Sequence, residues 1–460
     1  MLKIVNPATK ELIAELPEDT ADTVRAKVLA ARAAQPAWWR TSFDLRKSAI
    51  AKWKTLVAEH KDRLAGLLTA EMGKPLQQAL NELNALAGRV DFFLGNARSV
   101  LEDEIVQMSS GPGGTEERVT WEPLGVVANI SAWNYPYFVG SNVFVPALLT
   151  GNAVVYKPSE LTTQTGLALA ELMYEAGVPR DLFQVVVGGA AAGAALLEQA
   201  IDGVFFTGSY ATGRRIAEAT AGRMIKVQLE LGGKDPAYVC DDVDIEKAAA
   251  SLADGAMYNA GQSCCSVERI YVHEKIARPF IEAFVQTVRG FVVGDPLDLA
   301  TYIGPLAREQ QLAVLDQQLA DARAKGAQVL LGGGRDEARN GWFLPTVLSD
   351  VTSEMAVMRD ESFGPIIGIQ VVASDDEAVR LMNDTEYGLT AGVYTNSRQR
   401  AERLLQQVNA GSAYWNCCDR VAPALPWTGR KHSGIGSTLS LHGVRAFVQP
   451  KAWHLRGPAS

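Results

Sequence analysis

From Pro123 to Tyr156 the chain runs 34 residues without an Asp, Glu, Lys, Arg or His. A stretch like that belongs in a bilayer or in a protein interior. A membrane-crossing helix needs about 20 consecutive, mostly apolar residues. Here Asn134, Pro136, Gly140, Asn142, Pro146, Gly151 and Asn152 punctuate the run. Prolines and amides at that density suit a buried strand–loop–helix–strand path better than a span. The run is therefore expected inside an α/β core, with no membrane partner.

The segments after it carry a short rhythm. NAVVY (152–156) reads as a strand and 161–176 as a helix, stopped by Gly177 and Pro179. FQVVV (183–187), GVFF (203–206) and IKVQLE (225–230) read as strands, separated by an Ala-rich helix and a helix starting near Tyr210. Strands alternating with helices predict a parallel, doubly wound sheet. A second alternation follows Gly233: strand 237–240, helix 244–258, strand 268–273, helix 274–290, helix 307–325 and strand 328–331. Before the run, 21–36 and 43–100 carry helical apolar spacing, 109–115 is a loop, and Arg118–Thr120 and Val126–Ile130 are short strands. A chain of 460 residues is too long for one ordinary core. Two α/β domains are expected, meeting near Leu231–Gly233.

Charge excludes one class of partner. With 52 acidic against 44 basic residues and a net charge of −8, binding to nucleic acid by phosphate neutralisation is not expected. Five cysteines, Cys240, Cys264, Cys265, Cys417 and Cys418, are an odd number and include two adjacent pairs. That pattern fits a reducing cytoplasm better than a disulfide framework. The five histidines are scattered, and neither Cys nor His shows metal-ligand spacing, so no metal site is expected. MLKIVNPATKEL shows no apolar leader.

Several motifs are ambiguous one at a time. FTGSYATGRR (206–215) puts Gly-x-x-x-x-Gly on a strand-to-helix turn, which is either an ordinary tight turn or a seat for an anion at a helix N-terminus. Arg214 and Arg215 stand where an ATP-binding loop needs Lys-Ser or Lys-Thr. VYKPSE (155–160) ends a strand, where Lys157 and Glu160 either face solvent or take hydroxyls and phosphate. Cys264 in AGQSCCSVER is a nucleophile or an inert core thiol. Glu230 in ELGGK is a general base or a surface carboxylate. Asn134 in WNYP either satisfies backbone or faces a site.

In combination they are specific. AWNYP, VYKPSE, FTGSYATG, ELGGKDP, NAGQSCCS and ESFGP follow one another over residues 132–365. Their order and spacing resemble the aldehyde dehydrogenase superfamily, over nearly the whole chain. The resemblance implies an α/β fold with a Rossmann-type coenzyme domain (1–104 and 124–231) and an α/β catalytic domain (232–440). It also implies a small β oligomerisation element (105–123 and 441–460). Cys264 matches the nucleophile of Gly-Gln-x-Cys, with Cys265 one place later. Glu230 matches the general base and Asn134 the oxyanion donor. Lys157 and Glu160 match contacts to the adenosine ribose, Gly208 and Ser209 the pyrophosphate seat, and Glu361 and Phe363 the nicotinamide ribose and ring. Trp133 is counted with the cofactor contacts.

The resemblance implies oxidation of an aldehyde through a Cys264 thioester, and Glu230 favours hydrolysis to the free acid over transfer to coenzyme A. Glu160 favours NAD over NADP, since a carboxylate repels a 2′-phosphate, with NADP still possible. Ala132 replaces a usual proline, and Trp427 stands in a usual Pro-Phe-Gly-Gly. By resemblance Tyr135, Asn142, Tyr258, Ser263, Cys265 and Trp427 surround the substrate tunnel. Asn142 and Tyr258 occupy positions that are arginines in succinate-semialdehyde-type relatives, which argues against a distal carboxylate, although Arg420 or Arg430 could supply a charge. Tyr135, Tyr258 and Trp427 resemble the aromatic box of amino-aldehyde relatives, where rings attract a cation. They equally suit an aromatic or aliphatic tail, or simple packing. A homodimer or homotetramer is expected. The rival readings are a succinate-semialdehyde-type enzyme, a cofactor-independent thiol esterase and a non-catalytic relative.

Overall fold

The computed structural model describes residues 1–110, 113–339 and 341–458. Part of the expected 109–115 loop and the end of the 441–460 element therefore lie outside the described residues. The uncharged run forms the middle of a six-stranded sheet. Val126–Ile130 and Ala153–Lys157 are adjacent parallel strands, buried at every position. That is the behaviour of strands covered on both faces. Between them lies the helix Pro136–Leu149, with Pro136 in its first turn, where a missing N–H is tolerated. It packs against Phe43–Glu59, Leu76–Asn96 and Ala153–Lys157 and is buried almost throughout, which accounts for its lack of charge. Among the described residues no helix is long and apolar enough to cross a membrane.

The sheet order is Gly434–Ile435, Lys226–Glu230, Gly203–Thr207, Val126–Ile130, Ala153–Lys157, Phe183–Val185. The last five strands are parallel. From Val126–Ile130 the chain winds outward to Phe183–Val185, then returns to the opposite flank at Gly203–Thr207. This reversal opens a crevice at the carboxyl ends of the strands, where ligands of doubly wound sheets bind.

A second, seven-stranded sheet has the order Gln328–Leu331, Thr346–Ser349, Ile366–Val372, Val267–His273, Asp235–Val239, Thr390–Tyr394, Ser412–Trp415. Only its Gln328–Leu331 edge is antiparallel. A third sheet pairs Val448–Arg456 with Thr115–Pro123, and Thr115–Pro123 with Glu104–Met108, all antiparallel. Residues 434–435 fall within the span expected for the catalytic domain. They instead add an antiparallel edge to the first sheet, beside Glu230 and Leu229. Gly434 has φ 125, and a β-carbon there would overlap the Leu229 carbonyl, so only glycine allows this approach.

Two local expectations change. The first helix continues through Pro36 to Arg40. The long helical stretch is divided at His60 and at Gly73, which has φ 76, into Phe43–Glu59, Lys61–Met72 and Leu76–Asn96.

Candidate active site

Four parallel strands of the first sheet deliver their carboxyl ends to one cleft. Ile130 leads to Trp133 and Asn134, Lys157 to Glu160, Thr207 to Gly208 and Ser209, and Glu230 to Gly232. Cys264, Arg308, Glu361 and Phe363 close the opposite wall. The cleft has a volume of about 1050 Å³, at the upper end of the roughly 300–1,000 Å³ typical of ligand sites. All the expected cofactor contacts and all three catalytic candidates line it.

The residues fit a dinucleotide. Lys157 is buried, its ammonium held by the Pro158 carbonyl at 3.1 Å and by Glu160 at 3.9 Å. Burial lowers its pKa, and the charge of Glu160 opposes that fall. Ser209 caps the helix Tyr210–Thr220, whose first turn faces the cleft through Thr212. At the other end, the Glu361 carboxylate accepts the Gly233 N–H at 3.0 Å, and burial pushes its pKa up to about 8. Phe363 stands edge-on to Trp133, ring centroids 5.6 Å apart, and Arg308 lies over Trp133 at 5.6 Å. Behind this wall a buried Glu268 binds Lys234 at 2.6 Å and accepts the Ser362 and Phe363 N–H groups at 2.8 and 3.0 Å. Phe363, at φ 46, is fixed by that carboxylate.

The loop before Cys264 is tightly held. Asn259, Ala260 and Gly261 have φ of 54, 54 and 71. A β-carbon on Gly261 would collide with the Gly364 carbonyl, so this loop and the ESFGP loop fit only with glycine. The Gln262 amide donates to Asn259 O at 3.0 Å and accepts the Ala307 N–H at 3.0 Å. Asn134 Nδ2 donates to Gln262 O at 3.2 Å. Its second N–H stays available for an oxyanion.

The two adjacent cysteines have different surroundings. Cys264 is half-buried and lines the cleft. Cys265 is 4% exposed and its thiol donates to Asp419 Oδ1 at 2.9 Å. Its contact with Cys264, burial and the Asp419 carboxylate all hold that thiol well above the usual range. A thiol kept protonated is a poor nucleophile.

Glu230 is buried, and burial raises its pKa to about 7. Hydrogen bonds from Thr438 and Thr207 and the charge of Arg89 oppose the rise. The Thr438 hydroxyl donates directly to Glu230 Oε1. Gln228 holds that segment in place, donating to Ser437 O at 3.1 Å and accepting the Thr438 N–H at 3.3 Å.

The six residues expected around the substrate tunnel do not line this cleft. Ser263 sits with Cys265 against Asp419. Tyr135 is parallel to Phe138, and the Lys74 ammonium lies 3.7 Å from the Tyr135 ring centre. Asn142 is buried against Arg89. Tyr258 accepts from Asn81 at 3.1 Å. Trp427 is 6% exposed and packs in the same core cluster as Cys265. Its backbone pairs with Thr438 through two hydrogen bonds of 2.8 and 2.9 Å. That pairing ties it to the threonine that donates to Glu230. Among the described residues, no His, Cys, Asp or Glu group could hold a metal ion.

A model of the aldehyde dehydrogenase family matches residues 1–453. The chain belongs to the aldehyde dehydrogenase family. It is an oxidoreductase of the aldehyde group, with the α/β fold of that family. It is similar to aminoaldehyde dehydrogenase 1, peroxisomal, of Pisum sativum, 35% identical over 97% of this chain and 91% of that one. Among solved structures it is similar to an E. coli NADP-dependent enzyme, with TM-score 0.96 and 33% identity over 99% of this chain and 94% of the other. It also resembles PnpE, solved with nicotinamide adenine dinucleotide, with TM-score 0.95 and 32% identity over 100% and 94%.

Arg89, Thr438, Arg308 and Asp419 were not singled out in the sequence. Arg89 carried a usable signal. Glu82, Leu86, Arg89 and Phe93 recur at helical spacing on one buried face, where two charges are out of place.

Proposed function

We propose that this aldehyde dehydrogenase oxidises an aldehyde to the free carboxylic acid through a Cys264 thioester. The observation that carries the reading is the meeting of Cys264, Asn134 and Glu230 in one cleft at the switch point of the first sheet. The Cys264 thiolate attacks the aldehyde carbon and leaves an alkoxide. The free Asn134 N–H stabilises that charge, an interaction typically worth about 2.7–4 kcal/mol of barrier. NAD(P), when bound, supplies the hydride acceptor that turns the adduct into a thioester. Glu230 then removes a proton from water, which attacks the thioester carbon, and the thiolate leaves as the acid forms. Aldehyde, water and oxidised cofactor give acid, reduced cofactor and a proton.

NAD is the preferred cofactor in this reading, because Glu160 faces the cleft with Lys157. The amino-aldehyde relative makes a cationic tail the first candidate substrate. Lys74 over Tyr135 and the burial of Trp427 weaken that box. An aldehyde whose tail bears no positive charge fits better. Self-association is proposed through the third sheet, whose Glu104–Met108 edge exposes Ile105, Val106 and Met108. The free thiol at Cys264 suits a reducing compartment such as the cytoplasm.

The test is a panel of aldehydes with NAD or NADP, followed by the absorbance of reduced nicotinamide. Turnover with formation of free acid is expected. Cofactor binding without turnover of any aldehyde would overturn the reading.

A further inference from the structure

The helix Leu76–Asn96 presents Gln78, Glu82 and Arg89 on a buried face. The first two are fully used. Gln78 accepts the Asn259 N–H at 2.9 Å and donates to Tyr302 O at 2.9 Å. Glu82 binds Lys74 at 2.6 Å and accepts the Tyr137 and Phe138 N–H groups at 2.9 and 3.3 Å. Arg89 differs. It is 7% exposed, and among the described residues it has no carboxylate partner. One of its five N–H donors reaches Asn142, at 3.3 Å. Its guanidinium lies 3.9 Å from the ring centre of Phe138. Phe138 is parallel to Tyr135 at 6.0 Å, and Tyr135 follows Asn134, which binds the loop of Cys264.

A buried guanidinium without an anion is expensive to keep, and such groups are paired in folded proteins. Its fork matches a carboxylate in two parallel hydrogen bonds. Burial lowers its pKa, and the charge of Glu82, ahead of those of Cys265, Glu230 and Cys264, opposes that fall. Asp419 already accepts from Cys265 and Ser263 at 2.9 and 3.4 Å.

We propose that Arg89 determines specificity for the far end of the substrate, and that the substrate is an aldehyde carrying a carboxylate. Arg89 supplies the positive charge from the helix Leu76–Asn96, where it meets Asn142 and the ring of Phe138. The inference rests on the function proposed above and names its substrate class.

The experiment compares kcat/KM for succinic semialdehyde, butanal and β-aminopropionaldehyde with NAD, in the wild type, Arg89→Met and Arg89→Lys. In the wild type the carboxylated aldehyde is expected to exceed butanal by about tenfold or more. Arg89→Met lowers that ratio by about tenfold, chiefly through KM, and Arg89→Lys restores part of it. An unchanged ratio in Arg89→Met, or a wild-type preference for the amino-aldehyde, overturns the proposal. Should the variants not fold, competition on the wild type decides it. Succinate must inhibit butanal oxidation more strongly than butyrate, and equal inhibition overturns the proposal. Turnover of butanal without carboxylate preference defeats this inference alone. Absence of turnover with all three aldehydes defeats the proposed function as well.

Discussion

Cys264 and Cys265 are joined by one peptide bond, yet only Cys264 opens onto the cleft, while the Cys265 thiol donates a hydrogen bond to Asp419 at 2.9 Å. Replacing each by alanine separates their roles. Cys264→Ala is expected to abolish turnover, with a loss of about a thousandfold or more. Cys265→Ala keeps most of it. Reduced-nicotinamide assays at saturating aldehyde check both, and the reverse pattern contradicts the assignment.

The Glu230 carboxyl, raised to about 7 by burial, must be ionised to take a proton from water. Where thioester hydrolysis limits the rate, kcat therefore rises with pH through about 7 and levels off above it. Thr438→Val removes a hydrogen bond that favours the charged form, so the rising limb moves to higher pH, by about one unit. Pre-steady-state measurement of acyl release across pH reports the shift. An unmoved limb would show that Thr438 does not tune this carboxylate.

Lys74 and Glu82 form an ion pair with both side chains fully buried, 2.6 Å apart. Glu82 also holds the first N–H groups of the helix after Asn134. Removing one partner leaves a buried charge unpaired. Glu82→Ala is expected to lower stability by about 3–5 kcal/mol. Denaturant titration of the wild type and variant gives the difference, provided the slope is unchanged.

Glu160 lines the cofactor cleft beside Lys157. Glu160→Gln removes a negative charge from the position expected to meet the ribose. The ratio of kcat/KM for NADP over NAD is expected to rise by roughly tenfold. No change in the ratio would place the source of selectivity elsewhere.

The sequence revealed the parts of the site that local chain geometry carries. Lys157, Gly208 and Glu230 sit at ends of strands whose apolar runs and turn residues are visible in one dimension. The uncharged run identified the buried centre of the first sheet, because a helix covered on all sides has no place for a charge. Other features depend on distant contacts. Gly434 meets Leu229, and Thr438 meets Glu230, across some 200 residues of chain. Arg89 meets Asn142 between two helices. The burial of Trp427 could not be read from its loop motif, since burial belongs to the fold and not to the segment.

The most direct measurement is peptide mass spectrometry of Glu230→Gln, quenched after mixing with NAD and a turned-over aldehyde. With deacylation slowed, the account predicts a burst of reduced cofactor and an acyl group on Cys264, resolved from Cys265 by fragmentation. A burst with the acyl group on Cys265, or with no acylated cysteine, would contradict it.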